Sequence, residues 1–210
     1  MFDFIADLDA YFCETYANYD KLCVLQGYRM PKMQTSEVRE DGRTYAYTLP
    51  ANTMRLALQE KKEELLAQLK AQMQDKTFSF SFQQLNLFSR MKNKHSRYGF
   101  VKWLKAVLGK YNVTPEVAGE GLNIDQKIWQ GIYKGDYLPT KNLILSLALT
   151  VNLSVEDTEN LLLVCGYEFD FTIVKDVVVY YLIQSKVFNR PMIDAALAEY
   201  KVDNLFIAEN

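Results

Sequence analysis

The sequence predicts a mainly α protein. A small α+β unit covers residues 1–86, and an all-α half follows, with two extra helices at its C-terminal end. Three observations predict this. Strand-like alternation occurs before residue 86, while from Tyr98 onward apolar residues recur at spacings of three and four. Helix-start residues and glycine stops punctuate the second half at short intervals. The charge balance also breaks along the chain. Residues 1–86 carry 10 Lys+Arg against 12 Asp+Glu, residues 87–145 carry 10 against 4, and residues 146–210 carry 4 against 10. These are blocks of −2, +6 and −6, matching the overall charge of −2.

In the first part, Phe2, Ile5, Leu8, Phe12 and Tyr16 predict a helix over 2–18. Asp41-Gly42, set in "QTSEVREDGRTYAYTLP", predicts a hairpin, because glycine accepts the positive φ of a tight turn. "NTMRLALQEKKEELLAQLKAQMQ" predicts a helix over 52–74, capped by Asn52 and striped by Leu56, Leu65, Leu66 and Leu69. "KTFSFSF" at 76–82 alternates and predicts a strand. "SRMKNKHSR" lies in a basic connector over 87–97, either a solvated linker or an approach for an anionic partner.

The domain over 98–210 is a succession of short helices. "YGFVKWLKAVLGKYN" places Phe100, Leu104, Val107 and Leu108 on one face. Thr114 caps the next helix and Pro115 occupies its first position. In "DQKIWQGIYKG", Asp125 caps and Gly135 stops. A helix beginning at Thr140 buries Leu143, Leu147 and Leu149 or their neighbours. Ser154 and Asp157 form a capping box for the following helix, which ends at Gly166. Helices over about 171–186 and 190–200 complete the pattern, and the first is apolar on more than one side.

Composition excludes several classes. At 210 residues and 49% hydrophobic content, the chain has material for a packed core, as one large domain or two small ones. No apolar run reaches the roughly 18 residues of a membrane span. The acidic start "MFDFIADLDAYF" is unlike an export signal. Cys13, Cys23 and Cys165 are odd in number and far apart, which fits a reducing cytoplasm. "ADLDAYF" is similar to the metal-binding strand that opens translesion DNA polymerases, but Asp7 and Asp9 fall in a helical pattern and the chain is far too short. His95, the lone histidine, has basic neighbours and no ligand set around it. Neither a phosphate-binding glycine loop nor a nucleophile elbow is present. The reading is therefore of a non-enzymatic protein with no cofactor and no metal.

The second half resembles the lambda-repressor-like, or XRE-type, helix-turn-helix domain. The residues that carry the resemblance are Val113-Thr114, "NIDQKIWQGIYKG", Pro139-Thr140, "LALTVNLSVEDTENLL" and Gly166. It is similar to a bacterial subgroup that continues with helices like "FDFTIVKDVVVYYLIQSKVFNRPMIDAAL". The resemblance covers roughly 98–207 and leaves 1–86 unassigned. It implies a third helix docked in the major groove of double-stranded DNA, and hence transcription regulation. Gln126, Lys127 and Gln130 then stand at the base-reading positions, where Gln suits adenine and Lys suits guanine. Lys134, Thr140 and Lys141 stand where the family touches phosphate.

This sequence departs from the family pattern in helix two. Gly119 and Gly121 lower helix stability there, and Glu116 and Glu120 add negative charge. Trp129 and Tyr133 are bulky for a groove-facing helix, and Gly131 leaves a surface position blank. These departures keep a second reading open, an adaptor that uses the same fold as a protein-binding platform. The C-terminal helices add a third expectation, a homodimer or partner interface that buries Val179 or Leu182 between chains.

Overall fold

The computed structural model describes residues 4–17, 33–38, 44–49, 66–67, 70–71, 94–137, 139–202 and 205. The described residues are mainly helical. The elements are α1 (Phe4–Ala17), β1 (Met33–Val38), β2 (Thr44–Leu49), α2 (Lys94–Lys110), α3 (Pro115–Gly121) and α4 (Gln126–Lys134). There follow α5 (Lys141–Val151), α6 (Val155–Val164), α7 (Val174–Gln184) and α8 (Arg190–Glu199). Of the helix expected over 52–74, residues 66–67 and 70–71 are described, and they are helical. The strand expected at 76–82, the Asp41-Gly42 turn, Cys23 and residues 87–93 lie outside the described residues. Helix α2 starts at Lys94, four residues before the periodic pattern begins at Tyr98.

Chain contacts divide the molecule into two compact units that alternate along the sequence. One comprises Met1–Asp75, Asp170–Tyr181 and Ala196–Val202; the other comprises Lys76–Phe169, Leu182–Ala195 and Asp203–Asn210. Helices α7 and α8 each contribute residues to both.

In the first unit, β1 and β2 pair antiparallel from Met33 opposite Leu49 to Val38 opposite Thr44. Helix α1 buries Leu8, Phe12, Cys13 and Tyr16, the face its spacing predicts. The Phe12 ring stacks on Tyr16 at 5.2 Å and meets Tyr200 at 4.7 Å. Asp9 belongs to a polar cluster, not to a strand. It accepts the Tyr200 hydroxyl at 2.7 Å and pairs with the Lys70 ammonium at 2.7 Å. Lys70 also reaches Glu199 at 2.7 Å. Burial raises the Tyr200 hydroxyl far above its ordinary range, and the Asp9 carboxylate adds to the effect. The phenol therefore stays protonated and serves as a donor.

The second unit holds α2 to α6, and its local punctuation follows the sequence. Thr114 accepts from Val117 N–H, Asp125 from Lys127 and Ile128, Thr140 from Leu143, and Ser154 from Asp157. Each cap satisfies a backbone donor that the first helical turn leaves free. Gly135 ends α4 at φ 80°, a conformation glycine adopts without the Cβ clash of other residues. Helix α5 is the centre of this unit, with nine buried residues from Asn142 to Val151.

Asp157 ties two helices together. It accepts Lys110 Nζ at 2.8 Å, the Tyr111 hydroxyl at 2.7 Å and the Ser154 hydroxyl at 2.7 Å. Tyr111 in turn accepts Ser154 N–H at 2.8 Å. Burial alone would raise the Asp157 carboxyl, but the hydrogen bonds from Lys110, Tyr111 and Ser154 outweigh it and hold the group below its ordinary range.

The expected interchain burial of Val179 or Leu182 takes a different form. Both side chains are 0% exposed within a single chain. Neither has surface left to offer a second copy.

Candidate nucleic-acid interface

The site is built on α3, α4 and the four residues 122–125 between them. Helix α3 ends at Gly121, and Leu122 caps it. Asn123 then takes φ 54°, a left-handed conformation that Asn tolerates better than most residues. Asp125 starts α4 by accepting two of its first amide donors.

A close approach fixes the two helices. A Cβ at Gly119 would lie 2.6 Å from Trp129 Cδ1, so only glycine admits the indole there. Trp129 is 4% exposed, and its Nε1–H donates to the Pro115 carbonyl. A Cβ at Gly121 would strike Thr150 Cγ2 on α5. The two glycines that look like defects in an isolated helix are thus packing positions.

Two further sequence expectations are corrected. Trp129 points into the unit, so it presents no bulk to an external groove. Gly131 is not a blank surface position: it is buried, and a Cβ there would strike the Tyr137 ring. Tyr133 is half-buried, with the Lys105 ammonium 5.1 Å from its ring centre. Lys105 is a neighbour that spacing could not reveal, because it lies on α2, 28 positions away in sequence.

The inward positions of α4 are Trp129, Gly131 and Ile132. Its exposed positions are Gln126, Lys127, Gln130 and Lys134. All four are polar or basic and none is acidic. Among the described residues, no ion pair engages Lys127 or Lys134. Thr140 and Lys141 are half-buried at the start of α5. The Thr140 hydroxyl accepts Leu143 N–H at 3.2 Å, so its first task is to start that helix.

A cleft of about 340 Å³ runs between α3 and α4. Gln126, Gln130 and Lys134 form part of its lining, together with Trp129 and Tyr133. Glu116 and Glu120 line it from α3. The cleft therefore gathers three of the six candidate DNA-contacting residues; Lys127, Thr140 and Lys141 lie outside its lining.

Among the described residues, no group of three or more His, Cys, Asp or Glu side chains could hold a metal ion. No helix among them is long and apolar enough to cross a membrane. Searches of protein families, curated proteins and solved structures give no match to the chain.

Proposed function

We propose that the protein is a non-catalytic, cytoplasmic regulator that binds double-stranded DNA, and that α2–α6 form a lambda-repressor-like helix-turn-helix domain. On this reading the first 86 residues form an α+β unit of separate role. The observation that carries the proposal is the exposed face of α4, where Gln126, Lys127, Gln130 and Lys134 stand clear of the core with no carboxylate among them. A helix presenting Gln and Lys in this way suits base edges, which demand both donors and acceptors. Further support comes from the joint: two short capped helices connected by four residues, the geometry of a helix-turn-helix. The half-buried Lys141 and Thr140 then lie beside the duplex at the start of α5, where backbone amides favour phosphate.

Fluorescence anisotropy with a labelled duplex and the full chain tests the reading. At about 50 mM salt the dissociation constant is expected in the micromolar range, with affinity falling steeply as salt rises. Replacing Lys134 and Lys141 by Ala should weaken binding and reduce the salt slope by about 2, one unit per lost phosphate contact. No binding up to roughly 100 μM would remove the DNA assignment and leave the protein-binding use of the same fold.

A further inference from the structure

Helix α2 carries part of the basic block of the sequence, and the candidate site does not yet use it. Its 17 residues, "KHSRYGFVKWLKAVLGK", hold five Lys or Arg and no Asp or Glu. Lys110 is engaged, since it pairs with Asp157 at 2.8 Å. Lys102 and Lys105 differ from it. Both are exposed, and a spacing of three puts them on one face of the helix, about one turn apart. Among the described residues, neither makes an ion pair or a hydrogen bond.

Lys105 is nonetheless held in place. Its ammonium lies 5.1 Å from the centre of the Tyr133 ring on α4. A ring face attracts a cation through its quadrupole but carries no net charge. A carboxylate in that position would place the lysine and cancel it; the ring places it and leaves the full positive charge. Tyr133 and Lys134 are the last two residues of α4, so Lys105 and Lys134 stand at the same end of that helix. Lys102 carries the group of charges further along α2. The cations of α2 and α4 thus meet at Tyr133.

A cation that is positioned but not neutralised suits a phosphate. Part of its ordering cost is met before binding, and its charge remains free to displace a counterion from the duplex. We propose that the DNA-binding surface extends past α4 onto α2, with Lys105 and Lys102 contacting backbone phosphates that flank the bases read by α4. Tyr133 is then a positioning residue for Lys105. The inference rests on the DNA reading and deepens it: the partner is a duplex that continues beyond the reach of α4, gripped there without regard to sequence.

The test is fluorescence anisotropy of the full chain with a labelled duplex of about two helical turns, between about 50 and 200 mM salt. Lys102→Ala with Lys105→Ala should lower the salt slope by about 1.8, at about 0.9 per lost phosphate contact. On a fourfold dilution of salt the parent chain should therefore gain about twelvefold more affinity than this variant. Lys102→Arg with Lys105→Arg keeps both charges and should keep the parent's slope. Arg190→Ala, which removes an α8 cation paired with Asp194, should keep it too. Both lysines are exposed, so the unfolding midpoint of the double Ala variant should stay near the parent's. If the parent chain does not bind the duplex up to roughly 100 μM, the DNA reading fails and this inference falls with it. If the parent binds and the double Ala variant keeps its slope, the inference alone fails, and Lys105 merely covers the Tyr133 ring. A slope lowered as much by Arg190→Ala as by each lysine would also overturn it, because the effect would then be one of net charge.

Discussion

Replacing Gly119 by Ala tests whether the α3–α4 joint is set by contact or by helix preference. The new Cβ would lie 2.6 Å from Trp129 Cδ1 and 2.9 Å from Cγ. Unstrained carbon pairs sit about 3.5–4.0 Å apart, so one helix or the indole must move by roughly 1 Å. The indole has little freedom, being 4% exposed with its N–H donated to the Pro115 carbonyl. Overpacking of this kind costs about 1–3 kcal/mol. Loss of the indole hydrogen bond adds about 1 kcal/mol, while Ala in place of Gly returns about 1 kcal/mol in helix preference. The net expectation is a loss of about 1–3 kcal/mol, or a drop of roughly 2–12 °C in Tm for a chain of this size. Gly109→Ala is the control. Gly109 is also helical, but an added Cβ there meets nothing within 4 Å. It should gain up to about 1 kcal/mol. Urea unfolding followed by tryptophan emission reads both variants. If Gly119→Ala matches the stability of the parent chain or rises with Gly109→Ala, the close-contact account of this joint is wrong.

Other outcomes follow from the same structure. Asp157→Asn removes the charged acceptor shared by Lys110, Tyr111 and Ser154 and should cost about 2 kcal/mol in chemical unfolding. Because the folded Asp157 carboxyl is held below its unfolded value, its stabilisation is present above about pH 4 and is lost as pH falls through the folded value. An acid titration of Tm should therefore have a shallower limb in Asp157→Asn than in the parent chain. Burial pushes the Cys165 thiol up to about 12. Its alkylation in the native state should be slower than that of an ordinary thiol by up to about a thousandfold at neutral pH, measured by mass spectrometry; reaction at a free-thiol rate would contradict the burial. Leu182→Ala should destabilise the isolated chain by about 2–5 kcal/mol without any dependence on protein concentration, since that side chain is already covered at home. A concentration-dependent Tm would point instead to burial between copies.

The helices of the second half were legible because their ends are chemical. Thr114, Asp125, Thr140 and Ser154 each hold the amide that a cap must hold, and Gly135 has the left-handed turn that a stop requires. These are short-range events, and spacing reports them well. The candidate site was legible only in its outward residues. That Gly119, Gly121 and Gly131 make room for Trp129, Thr150 and Tyr137 depends on which surfaces meet, and no local pattern encodes that. The same is true of Lys105 over Tyr133, and of Asp9, whose hydroxyl donor Tyr200 is 191 positions away.

The alternation of the two units along the chain has a consequence for biosynthesis. Phe12 needs Tyr200 against its ring, and Asp9 needs the Tyr200 hydroxyl. On a ribosome these partners emerge 188 and 191 residues apart. At about 5–20 residues per second, α1 waits roughly ten to forty seconds for these two contacts. During that interval Phe12 lacks the Tyr200 ring and Asp9 lacks the Tyr200 hydroxyl. The intervening residues 94–164, with their own caps and their own core on α5, can fold in the meantime. The packing of α1 is thus completed only after residues 94–164 have been made.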